Sequence, residues 1–319
     1  MFFGKWQALG SQIEIYLPDA SDPPAGGERE AHIREYLSGF ENRFSRFIET
    51  SELRRLNANS GRTMHVSEEM VGLLLAAKKL FLETQGIFNP FILPDLERAG
   101  YKESFSEEKN THSVIEADGD IYSADDDRHD FNFGDVEIDK NAGTVRIPSG
   151  ARMDLGGIGK GFAVDHITEY LKRYYQNFWI SAGGDMRLAG SNNGVDWRVG
   201  VQDPSRHNED ICDIVIGDKL TAVATSGTTK RRFGKMNGHE MHHIIDPRTG
   251  APAENAILAV TVLADTAMRA DVLAKTALIL GDKNGIELID GLRDAECLMI
   301  DKDKKIYYSA GMSQMIKNK

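Results

Sequence analysis

Apolar residues alternate with polar ones at Ile13, Ile15 and Leu17, so residues 6–17 are predicted to form a strand. Two prolines within 19–27 mark a turn-rich linker. The period then changes. Ile33, Leu37, Phe40 and Phe44 recur three or four apart, which predicts a helix over about 28–47 with one buried stripe. Ser67 reads as the N-cap of a helix through residue 84, striped by Met70, Leu73, Leu74, Leu75 and Leu80 and stopped by Gly86. Residues 100–132 are polar and acidic and read as a solvated excursion. Asp125-Asp126-Asp127 within it reads as a water-facing run rather than a metal site. Residues 136–147, with Asn141-Ala142-Gly143 in the middle, predict a hairpin. A helix over about 160–174 follows, then strands at 178–180, 197–201, 213–216 and 257–263. A helix over 265–280 ends at Gly281, and short strands at 297–300 and 305–308 close the chain. Helices and strands alternate only in places, which points to α+β rather than a doubly wound sheet.

Composition narrows the class. The 319 residues carry 38 basic and 49 acidic side chains, a formal charge of −11, which argues against a nucleic-acid backbone binder. A local basic site for a small anion remains compatible with that balance. Cys212 and Cys297 form no C-x-x-C pair and read as two buried free thiols in a reducing compartment. The opening residues contain no signal peptide, lipid-attachment cysteine or spanning apolar run, so a cytoplasmic location without a membrane span is expected for the chain as given.

Five segments carry residues suited to chemistry. Asp154-Leu155-Gly156-Gly157-Ile158-Gly159-Lys160-Gly161 lies between a strand and a helix. Glycines admit a close ligand, a helix N-terminus offers N–H groups to phosphate, and Lys160 adds a positive charge. It matches neither the P-loop nor the dinucleotide fingerprint, and a tight turn without ligand is the alternative. Ala182-Gly183-Gly184-Asp185 suits a ligand floor or a hairpin corner. Thr225-Ser226-Gly227 with Lys230-Arg231-Arg232 reads as a phosphate contact or, equally, a charged loop. His242 and His243 adjoin on a strand and point to opposite faces, so one can serve as a base while the other does not. Asp246-Pro247-Arg248-Thr249-Gly250 reads as a turn. Asp271, at a helix start, is either a dipole partner or an oxygen ligand for Mg²⁺.

Taken in order, these segments resemble the FAD:protein FMN transferase family, the ApbE-type flavin transferases, across nearly the whole chain. Ala8-Leu9-Gly10-Ser11, Ser51-Glu52-Leu53 with Asn57, and Gly86-Ile87-Phe88-Asn89-Pro90 resemble its N-terminal motifs. The resemblance implies a single ApbE-like catalytic domain over 1–319, built as two interlocked α/β lobes around an FAD cleft. It implies Mg²⁺-dependent cleavage of FAD, transfer of FMN to a threonine hydroxyl of a target protein, and release of AMP. It places Leu9, Phe47, Ile87, Phe88, Asn89, Asp154, Lys160 and Ile245 at FAD, and makes His243 the base for the incoming hydroxyl. Mg²⁺ would be held by the carbonyls of Gly157 and Ala274 and by the Asp271 carboxylate. Three positions depart from the pattern: Leu9 stands where the family often has Met, Phe47 where it has Tyr, and Lys275 where a threonine usually also ligates the metal. An ammonium has no lone pair for a metal, and Thr276 lies about 100° around the helix. The competing readings are an FAD-binding protein without transfer and a Mg²⁺-dependent hydrolase giving FMN and AMP.

Overall fold

The computed structural model describes residues 1–20, 23–103, 131–217, 219–229, 232–236 and 239–317. The expected acidic run Asp125-Asp126-Asp127 and Lys230-Arg231 lie outside them. The chain begins with β1 (Phe2–Ala8), β2 (Ser11–Leu17), α1 (Pro23–Phe44), α2 (Glu52–Ala58), β3 (Met64–His65), α3 (Glu68–Glu83) and α4 (Leu93–Arg98). Next come β4 (Glu137–Asp139), β5 (Thr144–Arg146), α5 (Gly159–Leu171), β6 (Phe178–Ala182), β7 (Asp185–Ala189), β8 (Trp197–Asp203), β9 (Arg206–Ile216) and β10 (Thr221–Gly227). The remainder is β11 (Arg232–Met236), β12 (His239–His242), β13 (Ile245–Asp246), β14 (Ala251–Pro252), β15 (Ile257–Ala264), α6 (Ala267–Asp290), β16 (Glu296–Asp301), β17 (Ile306–Tyr308) and β18 (Ile316–Lys317). This is the α+β class expected from the sequence.

Two units divide the chain. The first comprises 1–41, 158–229 and 255–319; the second comprises 42–157 and 230–254. The division falls inside the glycine turn, between Gly157 and Ile158.

The first unit is built on an eight-stranded antiparallel sheet ordered β1-β2-β6-β7-β10-β15-β16-β17. It is buried on both faces, which is why its central strands read as nearly continuous apolar runs. Leu188, Val223, Leu263, Leu298 and Ile300 pack on one side with Trp197, Ile214 and Ile216 from the three-stranded sheet β18-β9-β8. Their neighbours in sequence, Ala222, Ala224, Val262 and Met299, are equally buried and point to the other face by strand alternation. The helix α6 packs on β10, β15 and β16, and α5 packs on β6, β7 and α6.

The second unit holds α2, α3, α4 and the small sheets β3-β5-β4, β11-β12 and β13-β14. Its predicted N-cap is present: the Ser67 hydroxyl accepts from Met70 N–H at 3.1 Å. The same residue donates its own N–H and O–H to the buried Glu52 carboxylate, each at 2.6 Å. Ser51 caps α2 in the same manner, accepting from Arg54 N–H. The Ser51-Glu52 motif is therefore a joint between α2 and α3. Leu75, expected in the α3 stripe, lies off it and is 40% exposed.

Three further expectations change. Residues 6–17 form a hairpin rather than one strand: Ala8 pairs with Ser11 across a two-residue turn, Leu9-Gly10. Alternation continues through so short a turn, so periodicity does not register it. The Thr225-Ser226-Gly227 segment lies in the central strand β10, where the Thr225 hydroxyl meets the Thr261 hydroxyl at 2.9 Å. Gly281 is a kink, not a stop. With φ +79° it interrupts α6, the helix resumes to Asp290, and the Leu278 carbonyl accepts instead from the Asn255 amide at 2.7 Å.

Candidate functional site

In the first unit, two tight turns lie side by side at one end of the large sheet. Leu9 and Gly10 both have positive φ, 54° and 60°, as do Gly183 and Gly184 between β6 and β7. The Gly183 N–H donates to the Gln12 carbonyl at 2.8 Å, and a Cβ at Gly183 would meet the Ser11 hydroxyl at 2.7 Å. A leucine in the left-handed region is uncommon and strained, a condition that concentrates at functional sites.

Just beyond the second turn, Asp185 enters β7 with its side chain 3% exposed. Lys160, at the start of α5, pairs with its Oδ2. The same ammonium lies 3.9 Å from Asp271 Oδ2 on α6, and Lys275, one turn further along, pairs with Asp271 Oδ1. The result is a row of alternating charges, Asp185–Lys160–Asp271–Lys275, drawn from three elements. Burial, and then the negative charge of Asp271, push the Asp185 carboxyl above the usual carboxylate range, against the pull of Lys160. Asp271 Oδ2 is buried and accepts no hydrogen bond among the described residues. Ala274, expected as a carbonyl ligand, is fully buried on α6. Thr276 is turned inward, and its hydroxyl donates to the Val272 carbonyl at 2.9 Å.

Tight packing fixes this row. A Cβ on Gly161 would lie 2.5 Å from the backbone N and Cα of Met268, so α5 and α6 touch through their main chains. The Asp165 carboxylate accepts the Ala267 and Met268 N–H groups at 2.8 and 3.0 Å, and so satisfies the first turn of α6. Among the described residues no side chain caps the first turn of α5, where Ile158 holds the N-cap position. That end keeps the character of an anion site, with Lys160 beside it.

In the second unit, Asp154 is held from several sides. Its N–H donates to the Pro90 carbonyl at 2.8 Å, and its Oδ1 accepts from Gly156 N–H at 2.8 Å. Its Oδ2 lies 2.9 Å from Arg46 Nε, in a pair whose side chains are 13% and 6% exposed. The Arg46 guanidinium stacks over Phe47 at 4.3 Å and Tyr101 at 4.6 Å. Asn57 clamps the extended segment before the turn, donating to the Met153 carbonyl and accepting its N–H, both at 2.9 Å. Asn89 caps Phe91 and donates to the Phe131 carbonyl. It also lines a cavity of about 240 Å³ with Phe81, Phe91, Asp95, Pro247 and Arg248. Ile87 is half-buried beside the nearly buried Phe88. Ile245 is buried in a cluster with Leu96, Ala99 and Met241, which gives it a packing role.

The two histidines do not share a strand, contrary to expectation, because β12 ends at His242. His242 ends β12 buried, with Nε2 donating to the Ala253 carbonyl at 3.2 Å and Nδ1 accepting from Ile244 N–H at 3.3 Å. Those two bonds specify one neutral tautomer, and burial lowers its pKa below the usual 6.5. His243 lies in the bend that follows, half-buried.

Of the expected residues, Lys160 and Asp271 meet in the first unit, and Phe47 and Asp154 meet through Arg46 in the second. Arg46, Asp165 and Asp185 join the expected residues only in the structure. Asp185 had a signal in the Gly-Gly-Asp corner; Arg46 and Asp165 had none, because their partners lie more than 100 residues away. A model of the ApbE family matches residues 9–299.

This chain belongs to the ApbE family. It is 28% identical over 305 residues to the FAD:protein FMN transferase of Haemophilus influenzae, covering 93% of this chain and 86% of that protein. It is 28% identical over 282 residues to the enzyme of the same name from Vibrio cholerae, covering 86% and 80%. In three dimensions it resembles the ApbE protein of Thermotoga maritima, with a TM-score of 0.81 at 25% identity over 99% of both chains. The flavin transferase ApbE of Vibrio cholerae gives 0.77 at 24% identity, over 98% of both. No helix among the described residues is long and apolar enough to cross a membrane.

Proposed function

We propose that this chain is an FAD:protein FMN transferase. The family match over 9–299 carries the reading, and the site geometry supports it. Lys160 beside an uncapped helix start suits an anionic pyrophosphate. In the reaction the oxygen of a threonine side chain on the target attacks the phosphorus attached to riboflavin. A new O–P bond forms as the P–O bond to the adenylate breaks. The threonine proton passes to His243, and AMP leaves with the electron pair. A positioned imidazole contributes about 10²–10⁴-fold to such a step. Leu9, Phe47, Ile87, Phe88, Asn89, Asp154 and Ile245 are the remaining residues assigned to FAD.

Mg²⁺ on Gly157, Asp271 and Ala274 is the assignment the resemblance brings. The side chains of the first unit, as they stand, do not fit it: Asp271 Oδ1 is engaged by one ammonium and Oδ2 lies within ion-pair range of another. No step here is therefore routed through a metal.

The test is incubation with FAD and a target domain carrying an acceptor threonine, read as covalent flavin and released AMP. Wild type should give both in equal amounts, and His243→Ala should bind FAD yet give neither. FAD binding with no AMP and no label for any acceptor would reject transfer in favour of a binding protein. AMP without a target would indicate hydrolysis.

A further inference from the structure

We infer that the ammonium of Lys275 is a built-in cation that takes the place of a divalent ion at Asp271, so that this chain grips its anionic ligand without one. The inference rests on the flavin-nucleotide reading above.

Three observations carry it. The first is position. Asp271 and Lys275 are one turn apart on α6, the spacing at which a carboxylate and a following ammonium face each other. The second is burial. Asp271 is 2% exposed and the Lys275 side chain 20%, so the pair is largely withdrawn from water rather than a solvated surface contact. A buried carboxylate needs a cation, and here the chain supplies it. The third is charge balance. Asp185 and Asp271 bring two negative charges, Lys160 and Lys275 two positive ones, and the row is neutral without any ion. A divalent cation at Oδ1 would have to displace Lys275, and at either oxygen it would sit beside two ammonium groups. A phosphate anion meets the opposite situation, because each ammonium attracts it rather than repels it. Thr276 does not offer an oxygen instead, since its hydroxyl is bonded within the helix.

Titrating FAD into the whole protein in MgCl2 and in excess EDTA tests this, with Kd read from flavin fluorescence. Wild type should bind FAD in EDTA within about twofold of its affinity in Mg²⁺, because the fixed charge is present in both. Lys275→Thr removes that ammonium and frees Asp271 Oδ1, while Oδ2 stays 3.9 Å from Lys160. It should lose about tenfold or more in EDTA and recover in Mg²⁺, the loss expected for a charge-assisted contact. Calorimetric titration with MnCl2 alone, without FAD, should give heat of binding for Lys275→Thr and none for wild type. Wild-type binding that requires Mg²⁺, or wild-type heat with MnCl2, overturns the inference and leaves the flavin reading standing. Equal FAD affinity of the two proteins in EDTA overturns it as well. Failure of FAD to bind under either condition would instead reject the flavin reading. The wild-type measurements decide the matter even if the variant does not fold.

Discussion

Gly161→Ala tests the contact that sets the charge row. The added Cβ would lie 2.5 Å from Met268 N and Cα and 2.7 Å from the Ala267 carbonyl carbon. Carbon atoms pack at about 3.5–4.0 Å, so the helices must part locally by about 1 Å. The obstructing atoms are main chain, held in place by Thr266 and Asp165, and they cannot rotate away. Overpacking of this kind costs about 1–3 kcal/mol. Replacing a helical glycine by alanine returns at most about 1 kcal/mol. With the full return the net is a destabilisation of up to about 2 kcal/mol, or up to about 4–8 °C in melting temperature for a unit of this size. The neighbouring glycine is the control. A Cβ at Gly159 meets only the Phe40 ring at 3.6 and 3.8 Å, an ordinary contact, so Gly159→Ala should be neutral or slightly stabilising. Thermal melts of the three proteins decide the stability question, and FAD titration of each decides whether the shift reaches Lys160. If Gly161→Ala melts with wild type while Gly159→Ala is the weaker protein, close backbone approach is not why glycine stands at 161.

Other consequences are open to measurement. Arg46→Met leaves Asp154 buried beside an apolar side chain and should cost about 3–5 kcal/mol in urea denaturation. The double variant with Asp154→Asn should recover part of that, and simple additivity would show that the pair is not coupled. Burial holds His242 below its usual pKa in the folded chain, whereas in the unfolded chain it takes up a proton near the ordinary 6.5. Stability should therefore fall as pH drops through and below 6.5, and His242→Gln should flatten that slope; an unchanged slope would assign it to another group. Burial pushes the Cys297 thiol up to about 12, and Cys212 is also buried. Neither should react with a disulfide reagent at pH 8 until the protein is unfolded, and prompt labelling would contradict the packing.

Much of this was legible in the chain. Local patterns predicted the N-cap at Ser67, the hairpin around Asn141-Ala142-Gly143 and the helix after the glycine turn, because each depends on residues within a few positions. The ordered motifs pointed to the family, and the oddity of Lys275 was visible by its spacing from Asp271. What distant segments do to one another was not legible. Arg46 reaches Asp154 across more than 100 residues, and Asp165 caps a helix that starts as far away. Thr225 reads as a loop hydroxyl until β15 places Thr261 opposite it. The sequence by itself determined which side chains are available at Asp154–Gly161 and at Asp271–Lys275. Only the tertiary structure decided that Lys160 stands between two buried carboxylates, Asp185 and Asp271. The reason is that ion-pair partners are chosen by burial and reach in space, and a chain read residue by residue contains neither.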